Sequence, residues 1–214
     1  MTAFRSVLLL GSALALSACQ PAPAPVAEAP PAPAAPVEAP APTPPPIAET
    51  QAAASARSTL MPVGDSGVGG ELHFEVDNGG VRVTGSFTGL KPGATHAFHI
   101  HEFGNCTAAD ASSAGGHFNP ALAAHGNREG EGEHHAGDIP NQVAGADGVA
   151  PVDQRLDGLQ IGGGGEMDIL GRGVIVHADA DDYTTQPTGN AGGRIACGVI
   201  EADMSAPTGA DPAQ

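Results

Sequence analysis

Tryptophan is absent from this sequence, tyrosine occurs once, and aromatic residues make up 3% of its 214 positions. Any buried core must therefore be assembled largely from small aliphatic side chains. Basic residues are scarce as well: eight Lys and Arg stand against 24 Asp and Glu, a formal charge of −16. A chain without a basic cluster has little with which to neutralise phosphates, which excludes nucleic acid as a partner. No apolar run reaches the ~20 residues of a membrane-spanning helix. Sustained 3.6-residue periodicity is also missing, which argues against a helical fold.

Glycine is missing between Gly11 and Gly64, whereas 30 of the 31 glycines lie from Gly64 onward. That change divides the chain. At the N-terminus, Arg5 precedes an apolar or small-residue run over 7–18, followed by Leu16-Ser17-Ala18-Cys19. A charged start, a short apolar stretch and small residues before a cut are the parts of an export signal. The last four residues resemble the lipobox of bacterial lipoproteins, in which Cys19 would be acylated. Residues 1–19 are thus expected to be a lipoprotein signal peptide. The protein would be exported to the periplasm or cell envelope and anchored to a membrane through its lipidated N-terminus.

Twelve of the 20 prolines fall between Pro21 and Pro46, interleaved with alanine. Such a tract packs no core and tends to polyproline II. Residues 20–56 are expected to be a disordered linker, 57–204 a single folded domain, and 205–214 a flexible tail. Three cysteines, at 19, 106 and 197, are an awkward number for an exported protein. Lipidation of Cys19 leaves Cys106 and Cys197 as one pair, normally a disulfide in an oxidising compartment. Closing that loop would stabilise the fold by roughly 2–4 kcal/mol.

Within the domain the period is two. Leu72, Phe74 and Val76 alternate with Glu71, His73 and Glu75; Val81, Val83 and Phe87 alternate with Arg82, Thr84 and Ser86. Asp77-Asn78-Gly79-Gly80 between them reads as a hairpin turn. Further strands are expected over 95–101, 142–148, 151–156, 173–177 and 194–200, giving an antiparallel sandwich or barrel. Two long segments, 102–138 and 179–193, break the rhythm, and loops of that length are usually functional or tied down.

Nine histidines are present. His99 and His101 share one face of a strand while Phe98 and Ile100 point the other way. Two neutral imidazoles on one face are ready ligands for copper or zinc. His117, His125, His135 and Asp138 lie within 22 residues of one another in the long loop. Three nitrogens and a carboxylate oxygen make a closed tetrahedral zinc set, although His134 beside His135 leaves that choice open on spacing alone. His177 ends the 173–177 strand and is placed to complete a second site.

Five motifs in order resemble those of copper,zinc superoxide dismutases, over about 57–203. They are Phe98-His99-Ile100-His101-Glu102-Phe103-Gly104, Gly116-His117-Phe118-Asn119-Pro120, His135-Ala136-Gly137-Asp138, Val176-His177, and Gly192-Gly193-Arg194-Ile195-Ala196-Cys197-Gly198-Val199-Ile200. The resemblance implies an all-β, eight-stranded Greek-key β-barrel, an immunoglobulin-like sandwich barrel, with the metals outside it under two long functional loops. It implies copper on His99, His101, His117 and His177, and zinc on His117, His125, His135 and Asp138, with His117 bridging. Asp181 matches the carboxylate joining His99 to His125. Arg194 matches the arginine that guides the substrate anion beside copper, and together with His117 it would act in catalysis. Cys106 and Cys197 match the family's disulfide. His73 and His96 match no ligand and are expected to be structural or exposed.

The implied activity is disproportionation of superoxide to dioxygen and hydrogen peroxide by alternating reduction and oxidation of copper, protecting the bacterial envelope. The alternative is a non-catalytic copper- and zinc-binding protein of the periplasm. A monomer and a homodimer are both compatible with the sequence. The segment 179–193 carries Asp179, Asp181 and Asp182 but no Lys or Arg. Steering of the anion is therefore expected to be weak, unless Arg128 in the long and acidic 125–135 interval turns inward.

Overall fold

The computed structural model describes residues 55–204. The expected signal, the lipidation of Cys19 and most of the proline-rich linker lie outside the described residues, as does the tail. The described chain is all β, with one short 3₁₀ turn at Ser112–Ala114. Its strands are β1 (Ser55–Pro62), β2 (Gly69–Asp77), β3 (Gly80–Thr88), β4 (Thr95–His96), β5 (Phe98–His101), β6 (Gln142–Val143), β7 (Ala150–Asp157), β8 (Gly173–His177), β9 (Arg194–Val199) and β10 (Glu201–Ala202).

Every ladder between these strands is antiparallel, in the order β5-β8-β9-β1-β2-β3-β7, with β10 also on β1 and a small β4–β6 ladder apart. β4 and β5 are one strand interrupted at Ala97, whose N–H turns to Asp179 O while its carbonyl accepts from His177 N–H. β9 and β10 are likewise one strand broken at Ile200, which bonds to Gly171 and Arg172. Counted so, the fold is the expected eight-stranded Greek-key barrel.

The hairpin forms where expected. Asn78 (φ 43°) and Gly79 (φ 84°) are both left-handed, the conformation that matches the twist of the strands they join. Leu72, Phe74, Val81, Val83 and Phe87 are buried, but Val76 is exposed because it lies at the end of β2, beside the turn. Phe87 and Phe98 meet edge to face at 5.1 Å inside the barrel, each side chain contributing about 1.5–3 kcal/mol by burial.

The structure differs from the sequence reading in three places. β1 begins at Ser55, two residues before the expected boundary, and is central to the sheet although no strand was expected there. Its inward residues are Ala56, Ser58 and Leu60, too small or too polar for the alternation to show. The strand expected over 142–148 stops at Val143, because Gly145 and Gly148 close a turn into β7. A third long connection, 158–172, precedes β8, and the Asp168 carboxylate ties it by accepting from the N–H groups of Gly162, Gly164 and Leu170.

Outside the barrel a small second core of Ala111, Ala114, Ile175 and Cys197 lies beneath the first long loop. The Cys106–Cys197 disulfide fastens that loop to β9 across a sequence separation of 91 residues.

Candidate metal centre

The site is built on β5. Phe98 and Ile100 enter the barrel core, while His99 and His101 point to the opposite face, yet both histidines are fully buried. The cover comes from the 102–138 loop, which returns along the free edge of β5. Phe118 N–H donates to Ile100 O (2.8 Å), and Ile100 N–H donates to Gly137 O (3.0 Å). The resulting bridges set His117 opposite His101 and Asp138 opposite His99. On the other edge β8 delivers His177, and the β8–β9 register sets Arg194 opposite it.

Two groups of ligand atoms result, His99, His101, His117 and His177 in one, and His117, His125, His135 and Asp138 in the other. Each group's ligand atoms lie within 4.8 Å of one another, every residue in them is buried, and His117 belongs to both. All seven residues expected as ligands are thus together. His134 is not among them; its Nδ1 lies 2.8 Å from His135 O, which makes it a neighbour only.

Hydrogen bonding fixes which nitrogen of each ring carries the proton. Asp181 accepts from His99 Nε2 through Oδ2 and from His125 Nε2 through Oδ1, both at 2.9 Å. Gly115 O accepts from His101 Nδ1 (3.0 Å), and Gly192 O from His177 Nδ1 (3.4 Å). Carboxylates and carbonyls only accept, so each ring presents its other nitrogen bare. Those four nitrogens, His99 Nδ1, His101 Nε2, His125 Nδ1 and His177 Nε2, are buried without a hydrogen-bond partner, as are His117 Nε2 and, outside both groups, His96 Nε2. His125 Nδ1 comes within 3.0 Å of Asp138 Oδ2 without bonding to it. Buried lone pairs without partners are costly in a protein interior unless something binds them. Four imidazole nitrogens suit copper, and three with a carboxylate suit zinc. The residues fit both metals.

Electrostatics agree with ligand character. Burial, aided by neighbouring imidazoles, pulls His117 down to about 4 and His177 to about 3, and lowers His101 strongly. These rings are neutral at physiological pH, as metal ligands must be. Burial opposes the charged form of His125 too, but the adjacent carboxylates of Asp138 and Asp181 prevail and raise it to about 9, so without a metal this ring is charged at neutral pH and a metal at Nδ1 would displace a proton. Asp138 is held far below the carboxylate range by His117, His125 and His135 despite burial.

Arg194 donates from Nη1 to Ala111 O (2.7 Å) and from Nη2 to Gly115 O (2.6 Å). Gly115 O therefore serves both Arg194 and His101. Arg128 does not turn toward the four-histidine group: its guanidinium lies against backbone carbonyls of residues 135–138. His73 is exposed beside Glu71. His96 is buried, and its Nδ1 lies 2.9 Å from the carbonyl of His177. Two supports were not foreseen. Gln186 clasps the backbone of His125 at both N–H and C=O (2.9 Å each), and Asn141 exchanges hydrogen bonds with the backbone of Asp181.

An antiparallel barrel with a four-imidazole group sharing one ring with a three-imidazole, one-carboxylate group defines a β-barrel protein that binds two unlike metals. Comparison with known proteins agrees. The family model described as copper/zinc superoxide dismutase matches residues 68–200. "Superoxide dismutase [Cu-Zn] 2" of Mesembryanthemum crystallinum is 48% identical over 144 residues, 64% of this chain and 89% of that one. "Superoxide dismutase-like protein YojM" of Bacillus subtilis is 43% identical over 129 residues, 59% of this chain and 65% of that one. Among solved structures, the clock protein EA4 superposes with TM-score 0.64 at 35% identity, covering 72% of this chain and 97% of its own. A SOD-like protein from Bacillus subtilis gives TM-score 0.61 at 39% identity, covering 67% and 96%. The chain belongs to the copper/zinc superoxide dismutase family, and copper and zinc are its cofactors.

Proposed function

We propose that the protein is a superoxide dismutase that converts two superoxide anions and two protons into one dioxygen and one hydrogen peroxide. In this reading His99, His101, His117 and His177 hold copper, and His117, His125, His135 and Asp138 hold zinc. Copper supplies the one-electron redox chemistry between the two superoxide anions. The remaining work falls to the chain. Arg194 holds the anion beside His177, using N–H groups left over after its bonds to Ala111 O and Gly115 O; a guanidinium stays charged at any working pH. His117 takes a proton at Nε2 and passes it to the reduced oxygen, the second proton coming from water. Asp181 keeps His99 and His125 in the tautomer that leaves both Nδ1 atoms bare.

The observation that carries this reading is the convergence of seven buried residues into two ligand groups that share His117, five of their imidazole nitrogens being unpartnered, with Arg194 in register with His177. Export to the bacterial envelope and anchorage through Cys19 follow from the lipobox-like Leu16-Ser17-Ala18-Cys19. They would place the enzyme where superoxide arises outside the cytoplasm. Stopped-flow ultraviolet decay of superoxide, with the copper- and zinc-loaded protein freed of loose metal, tests the activity. Rapid catalytic decay that disappears in His101→Ala is expected. Tight retention of both metals without acceleration would instead favour a metal-binding protein.

A further inference from the structure

Arg128 was a candidate for steering, and the structure gives it a different task. It lies in the turn that follows His125, where Gly130 N–H bonds to Asn127 O (3.0 Å) and Glu129 N–H to Asn127 Oδ1 (3.0 Å). That turn leaves Glu129, Glu131 and Glu133 exposed but brings the half-buried Arg128 back beneath residues 135–138. Its Nε donates to Asp138 O (2.7 Å), and its Nη2 to Ala136 O, with His135 O at 3.5 Å. Nη1 reaches Asp157 O, at the end of β7 (3.5 Å). One planar fork thus grips the backbone of two residues expected as ligands, His135 and Asp138, and of Ala136 between them. It also ties that segment to the barrel.

On the other side of the same segment the Asp138 carboxylate accepts from His135 N–H (2.8 Å) and Gly126 N–H (3.1 Å). The carboxylate positions the segment from inside and Arg128 from outside. None of the four-histidine group lies on this segment.

We infer that Arg128 is a positioning residue of the three-histidine, one-aspartate group, setting how tightly that group holds zinc while leaving copper largely unaffected. The inference rests on the metal assignment proposed above. A guanidinium suits the task because its fork spans two carbonyls in one plane, whereas an ammonium is a point donor. Loss of an outer hydrogen-bond partner typically weakens metal affinity about 10–100-fold.

The test uses the full chain loaded with both metals, in the wild type, Arg128→Gln and Arg128→Lys. Zinc and copper release into a chromophoric chelator are followed separately, together with the absorption spectrum of cobalt substituted at the zinc group. Expected are zinc release about 10–100-fold faster in Arg128→Gln, an intermediate value in Arg128→Lys, copper release within a factor of about three when excess zinc keeps the zinc group filled, and an altered cobalt spectrum. Unchanged zinc release and an unchanged cobalt spectrum in both variants would overturn the inference. So would equal loosening of both metals accompanied by a lower melting temperature of the metal-stripped protein, which marks a general prop of the fold. Failure of the wild type to hold one zinc would instead overturn the metal assignment itself.

Discussion

At the scale of single residues, the site depends on which nitrogen of each ring is bare, and proton chemistry follows. In metal-stripped protein, burial holds His117 near 4 and His177 near 3, against about 6.5 for a free imidazole. The unfolded chain binds protons in that interval that the folded chain refuses. These two rings therefore cost nothing above about pH 6.5 and subtract stability as the pH falls through 6.5 toward 3. His125, raised to about 9, works the other way, with its contribution present below about 6.5 and lost as the pH rises through 9. Urea midpoints of stripped protein are expected to drop between pH 7 and 4.5, and less so in His177→Asn. Arg194→Gln removes the charged donor while leaving both ligand groups intact. A hydrogen bond to a charged group is worth about 1.5–3 kcal/mol, so kcat/KM is expected to fall roughly 10–100-fold with metal content unchanged. Stopped flow and metal analysis on one sample check both halves of that statement.

At the scale of elements, strands and loops were unequally legible in the sequence. β2 and β3 show themselves because large apolar side chains alternate with charges around an Asn-Gly turn. β1 does not, since Ala56 and Ser58 fill two of its three inward places. The ligands were legible because the motifs that carry them resemble those of a known family, spacing alone leaving the choice between His134 and His135 open. Arg128, Gln186 and the Gly115 carbonyl were not, because their partners are backbone groups that every residue possesses, and only the folded path brings them together. The loop over 179–193 shows how much rests on such packing. Gly189 has φ 65°, and a Cβ there would sit 1.7 Å from Asp181 Oδ1 and 2.7 Å from His125 Nε2. Gly189→Ala is expected to push Asp181 off both histidines and reduce retention of copper and zinc together by about 10-fold or more, measured by metal content after dialysis against chelator. The other loop is held by its disulfide. Reduction should lower stability by about 2–4 kcal/mol and the melting temperature by roughly 5–15 °C, read by calorimetry with and without reductant.

At the scale of the whole molecule, charge decides how substrate arrives. The chain carries −16, which repels an anion at long range. Among the described residues, Arg82 pairs with Asp153, Arg155 with Asp77 and Asp157, Arg172 lies over Phe118, and Arg128 faces the zinc-loop backbone. Arg194 donates to Ala111 O and to Gly115 O, the carbonyl it shares with His101 of the four-histidine group. With so local a source of attraction, raising ionic strength from about 10 to 150 mM, which shortens the screening length from about 30 to 8 Å, is expected to change the superoxide rate less than about threefold. A steep decline with salt would show that a broader positive field exists.

The two ligand groups are joined twice, through the shared ring of His117 and through Asp181, which links His99 to His125. With both ions in place these links form a closed circuit, in which either ion is reached from the other along two separate arms. Thermodynamic reciprocity then applies: whatever one ion adds to the other's affinity is returned in equal measure. The first ion to arrive meets the cost of ordering both arms, and the second enters a cage already set. Loading is therefore expected to be positively cooperative, and calorimetric titration of copper into zinc-filled and zinc-free protein would measure the coupling directly.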